Sequence, residues 1–184
     1  SGVTGAVLLS AMTSIPAARL WLADRSPGGA GRDHLEQILQ VAHKLRVEHR
    51  VARQSAEAAQ LIEDAARETQ ERRGLSEREL AGRRSTVLVL VDPDRIPALT
   101  RTVTATDSVD SEHGVMLRYV LMQGPAVGVH VMLVAPSFRS LTAAVGESVL
   151  QAEIRHRLAG PMPPDDSFAF LRSAAAARLH RSTR

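Results

Sequence analysis

Asp92 is the residue in this chain best placed to do chemistry. It interrupts the stretch "TVLVLVDPDRIPAL" (86–99), in which six β-branched or aliphatic residues run without a break and stop at an acid. Such a run reads as a strand buried on both faces, the kind found in parallel sheets. In open α/β sheets, ligands bind beyond the carboxyl ends of the strands, so an acid there stands where a metal or a phosphate would be met. The same residue could instead simply open a Pro-containing turn, which Asx side chains favour. "RLWLAD" (19–24) repeats the arrangement with Asp24, and the "RSPGGAG" that follows carries Gly28, Gly29 and Gly31, which suit either a plain turn or a backbone nest for an anion. Other chemistries find less support. His34, His43, His49, His113, His130 and His156 show no short paired-ligand spacing for a metal, and no Ser/His/Asp arrangement carries a nucleophile motif. Lys44 is the single lysine, so a phosphate-binding lysine could only be Lys44.

Composition narrows the classes further. The chain has 184 residues, enough for one domain with a sizeable core, and a single domain over 1–184 is the default expectation. With 44% hydrophobic and 23% charged residues it reads as globular, and no apolar run approaches the ~20 residues that cross a bilayer. The absence of cysteine removes disulfide, thiolate and zinc-finger chemistry. The first residues lack the basic segment of a secretory signal, so a cytoplasmic location is expected, with any membrane tether lying in regions outside this sequence. The net charge of +3 is unevenly spread: residues 155–184 hold six arginines against Asp165 and Asp166. Arg155, Arg157, Arg178 and Arg181 are therefore the candidates for nucleic-acid contact, against the alternative of a solvated basic face. Three phenylalanines, one tyrosine and one tryptophan supply no aromatic platform for stacking bases.

The elements that must hold Asp92 follow from hydrophobic period. Val7, Leu8, Ala11 and Ile15 predict a helix ending before Pro16. A strand at 20–23 precedes the Gly-rich turn, Leu35, Ile38, Leu39 and Ala42 predict a helix within 33–45, and 47–53 reads as a short strand. Ala58, Leu61, Ile62 and Ala65 then set the apolar face of a helix whose other face carries Glu57, Glu63, Asp64, Arg67 and Glu68, with Gly74 ending it. Ser76 and Glu79 have capping-box spacing. Beyond the Asp92 strand, 101–111 is polar and aperiodic, a surface loop. Val115, Met116, Tyr119 and Val120 mark another helix face, "GPAVG" (124–128) a connection and "VHVMLVA" (129–135) a second buried strand. "AEIRHRLAG" (152–160) alternates apolar with basic residues like an edge strand at 154–158, and a last helix is expected over 166–179. Helices alternating with strands predict a mainly parallel sheet covered on both faces.

In this order the parts resemble the FtsK/SpoIIIE family of RecA-like P-loop ATPase domains, including the EccC/EssC branch of type VII secretion. "LWLADRSPGG" is similar to the family's second strand and its Asp-Pro-Lys-Gly turn, "AEAAQLIEDAARETQERRGL" to its long helix, and "TVLVLVDPDRI" to its Walker B strand. "LRYVLMQGPAVGVHVMLVAPS" resembles the family's "L…L.R.GRAVGIHLILATQ", the most specific match, and "AEIRHRLAGPMPPDDSFAFL" its late "RI.LRV..P.DS..LL". The resemblance covers nearly the whole chain and implies an α/β fold, a RecA-like three-layer sandwich. It also implies partners: further ATPase domains of the same family or a homo-oligomer, with DNA or a secreted protein as the substrate of the parent assembly.

Carried over residue by residue, the resemblance implies a degenerate nucleotide site. A P-loop needs backbone N–H groups around the phosphates, a lysine on the β/γ phosphates and a Ser or Thr hydroxyl on magnesium. Laid onto the family's T-G-S-G-K-S-V-L-L, "SGVTGAVLL" keeps Gly2, has Thr4 for the next glycine, and puts Gly5 and Ala6 in place of the lysine and the hydroxyl. Asp92 matches the Walker B acid that holds magnesium through water, but Pro93 occupies the place of the second acid, which orients the attacking water, and Asp94 comes one residue too late. The polar sensor, Thr-Gln in the family, is "APS" here, with Ser137. On this reading Asp92 is vestigial and its carboxylate should be neutralised by local partners, such as backbone N–H groups of the Gly2–Ala6 turn or a nearby arginine. No cofactor is expected; ATP and Mg²⁺ would be bound only if the site were active. In the family a strand precedes the P-loop, which leaves open a motor domain whose P-loop lies outside this sequence.

Overall fold

A computed structural model of the protein describes residues 18–25, 36, 39–40, 42–43, 47–100, 102–103, 108–109, 111–154, 156–157, 159 and 162–178. Three apolar runs form strands of its sheet: β1 (Arg19–Asp24), β3 (Thr86–Val91) and β6 (Val129–Val134). With β2 (His49–Ala52) they make a four-stranded sheet in the order β2-β1-β3-β6, every pair parallel. Leu88, Val89 and Leu90 of β3 are wholly buried, so side chains on both faces of that strand lie in the core. Each such burial contributes roughly 1.5–3 kcal/mol, which is what fixes the register Leu20–Val87–His130 and Trp21–Leu88–Val131 across the strands.

Helices cover this sheet. α1 (Ser55–Arg73) lays Ala58, Leu61, Ile62 and Ala65 on one face, together with α3 (Glu112–Gln123), α4 (Phe138–Val145), α5 (Glu147–Glu153) and α6 (Pro164–Leu171). The opposite face carries a smaller cluster of Leu20, Leu22, Val87 and Val89 against Ala42, one of the helical residues described between 36 and 43. The fold is thus α/β with an all-parallel sheet flanked by helices, compatible with a three-layer RecA-like sandwich. No helix among the described residues is long and apolar enough to cross a membrane.

Local chemistry explains where the elements start and stop. The Glu57 carboxylate accepts the otherwise free N–H groups of Arg53 and Gln54 at the start of α1, and Gly74 closes its end with an N–H to the Glu71 carbonyl. The box of α2 (Glu77–Ala81) forms reciprocally, Ser76 Oγ accepting from Glu79 N and Glu79 Oε2 from Ser76 N. Gly124 is held to glycine by crowding: a Cβ there would lie 2.4 Å from the Val129 carbonyl oxygen and 2.5 Å from that of Val120.

Four expectations need correction. No strand forms at 154–158 among the described residues. α5 runs through Ala152 to Glu153, Ile154, His156 and Arg157 lie outside any strand, and the fourth strand of the sheet is β2. The reason is Arg157, whose guanidinium donates to the Leu150, Gln151 and Ile154 carbonyls at the end of α5 and to that of Phe170. These carbonyls are satisfied locally, so the segment turns back onto α6 rather than extending along a sheet. The last helix stops at Leu171, because Arg172 takes a left-handed φ of 55°, and a separate 3-10 turn follows at Ala176–Arg178. Within the polar segment 101–111, β4 (Thr102–Val103) and β5 (Ser108–Val109) pair antiparallel, a ladder too short to leave a sequence period. The polar face of α1 is not all solvated either: Asp64 is buried, and the Glu68 side chain is only 14% exposed.

Candidate functional site

The carboxyl ends of β1, β3 and β6 lie side by side, with Asp24, Val91 and Val134 in register. Asp92 continues β3 by one hydrogen bond, its N–H donating to the Val134 carbonyl at 2.8 Å. The chain then breaks away. Asp92 adopts φ 51° and ψ 58°, the left-handed region that Asp tolerates better than most residues. Pro93 opens a 3-10 turn (Pro93–Arg95), fitting a position where φ is near −65° and no N–H is needed. The turn is pinned by Arg95 N–H to the Asp92 carbonyl at 2.9 Å, and Ile96 and Leu99 anchor it in the core. Asp94 and Arg95 end up exposed. α4 packs against this turn.

Asp92 itself is only 8% exposed. It lies just beneath the surface, and among the described residues no donor reaches its carboxylate. Burial first, then the charges of Asp94 and Asp24, push its pKa above the ordinary value, while Arg95 pulls the other way without a hydrogen bond. The expected position at the carboxyl end of a central strand is therefore observed. The Gly2–Ala6 turn expected to neutralise it lies outside the described residues, and Arg95 is the one described arginine whose charge favours the carboxylate. An acid in this condition can accept a proton more readily than a free aspartate, or offer one oxygen ligand to a cation. Pro93, the next residue, presents no functional group beside it.

Ser137 follows β6, just before α4. Its Oγ accepts the Ser140 N–H at 3.1 Å and shares a hydrogen bond with Ser140 Oγ at 3.2 Å, so the hydroxyl serves as the N-cap of α4. Gly2, Thr4, Gly5 and Ala6 lie outside the described residues, as do Gly28, Gly29, Gly31 and Lys44. Of the basic candidates, Arg155 and Arg181 are also outside them, and Arg178 is exposed in the last 3-10 turn. Arg157 directs its donors at main-chain carbonyls and sits 5.9 Å over the Phe170 ring. That geometry holds α5 to α6 and leaves the guanidinium little capacity for a phosphate. Among the histidines, His113 pairs with Glu63 of α1 at 2.9 Å, and burial beside Arg72 pushes the pKa of His130 down. His43 and His49 border an open groove with Glu36, Leu39 and Gln40. No group of three or more His, Cys, Asp or Glu among the described residues could hold a metal.

At the opposite ends of the same strands stands a charge network that sequence period alone did not single out. Arg72, 4% exposed, donates to Glu68 Oε1 at 2.6 Å and to the carbonyls of Arg84 (2.6 Å), Val127 (3.0 Å) and Gly128 (3.3 Å). Arg19 joins Glu68 from β1, and Thr86 Oγ1 donates to Glu68 Oε2 at 3.1 Å. A neighbouring cluster sets Asp64 against Arg50, Arg67 and Gln60. Burial alone would raise the pKa of Asp64, but these partners outweigh it and hold the carboxyl below the ordinary range. The i,i+4 spacing of Glu68 and Arg72 was the available signal. Both clusters tie α1 to the sheet and leave the Asp92 end free of their charges.

Comparison with known proteins finds no matching family model, no significantly similar curated protein and no significantly similar solved structure.

Proposed function

We propose that this chain is a degenerate, non-hydrolysing FtsK/SpoIIIE-like ATPase-fold domain with a scaffold or regulatory role in a translocase or secretion assembly. The observation that carries the reading is the turn Asp92-Pro93-Asp94. One acid sits beyond a central parallel strand where a Walker B acid would be, the next position is an imino acid, and the following acid is turned out to solvent. The cap role of Ser137 agrees with it, since a sensor residue needs a free hydroxyl. Such a domain acts through its surfaces: its partners are other ATPase domains of the same family or further copies of itself, and DNA or a secreted protein is handled by the parent assembly. It works at the cytoplasmic side, tethered to the membrane through other regions of that assembly.

A second reading has its own observation. The carboxylate of Asp92 has no hydrogen-bond donor among the described residues, as a ligand awaiting a cation would, and this favours an active ATP-dependent DNA translocase or type VII secretion motor domain whose P-loop lies outside this sequence. Turnover of the parent assembly separates the two. Asp92→Asn should leave ATP hydrolysis by the assembly within about twofold of wild type. A fall of about 100-fold, equivalent to about 2.7 kcal/mol of transition-state stabilisation, would make Asp92 a working metal ligand and favour the motor.

A further inference from the structure

We draw no further inference here: the strongest candidate, the outer edge of β6 (Val129–Val134), is uncharged, partly exposed from His130 onward and paired on one side only among the described residues, but nothing in the structure shows what covers it.

Discussion

Replacing Asp92 by Asn should stabilise the protein at neutral pH. Burial, Asp94 and Asp24 raise the pKa of this carboxyl in the folded chain above its unfolded value. The folded state therefore holds the proton more tightly than the unfolded state does. The resulting stabilisation is complete below the unfolded pKa, about 3.9, and is lost as pH rises through the folded pKa. At pH 7 the wild-type fold keeps a charge with no hydrogen bond from the described residues, a condition that costs about 1–3 kcal/mol for a fully buried group. Asp92 lies just beneath the surface, so the lower end, about 1 kcal/mol, applies. Asn removes the charge and keeps the left-handed backbone, which it adopts as readily as Asp. In a domain of this size about 1 kcal/mol moves Tm by roughly 2–4 °C. Thermal melts of both proteins between about pH 7.5 and pH 4 would show the variant higher at neutral pH, the gap closing as the acid protonates. A variant less stable at pH 7, or a gap that does not change with pH, would mean that the carboxylate is held in an ion pair or by donors, and the argument from desolvation would fail.

The remaining expectations concern the clusters that hold the fold. Arg72→Ala removes the donors shared by Glu68 and three carbonyls and should destabilise by about 3–5 kcal/mol, measured by urea unfolding; a loss below about 1 kcal/mol would show that solvent replaces those bonds. Arg157→Ala should lower stability by about 1–3 kcal/mol by releasing the end of α5 from α6. It should leave the salt dependence of any DNA binding unchanged, whereas a slope reduced by about one would identify Arg157 as a phosphate contact.

Much of the sheet was legible because burial on both faces writes itself as an uninterrupted apolar run: 87–91, 129–134 and 20–23 became β3, β6 and β1 within a residue or two. α1 was legible from the spacing of Ala58, Leu61, Ile62 and Ala65, and the Ser76–Glu79 box from its two side chains. The alternation at 154–158 misled because Ile154, Arg157 and their neighbours satisfy a period of two while the arginine answers to nearby carbonyls, a three-dimensional fact with no period of its own. Asp64 and Glu68 lie on the charged face of α1, and Arg50, Arg67, Arg19 and Arg72, from up to 49 positions away, make their burial tolerable, which no helical period announces. The position of Asp92 at the end of a central strand could be read from the sequence, as could the Pro93 that follows it. The charge state could not, because it depends on Asp24 from another strand and on how much water the turn excludes.

The central proposal, that this chain is a degenerate ATPase-like domain that does not use ATP, meets its most direct test in isothermal titration of the protein with ATP in the presence of Mg²⁺. On the proposed resemblance to the FtsK/SpoIIIE family, Gly5 and Ala6 take the places of a lysine and a hydroxyl, and Pro93 that of an acid. Binding should therefore be absent or weaker than about 1 mM, a free energy of no more than about 4 kcal/mol. A micromolar Kd, about 8 kcal/mol, would contradict the account and restore this chain to the nucleotide-driven motors.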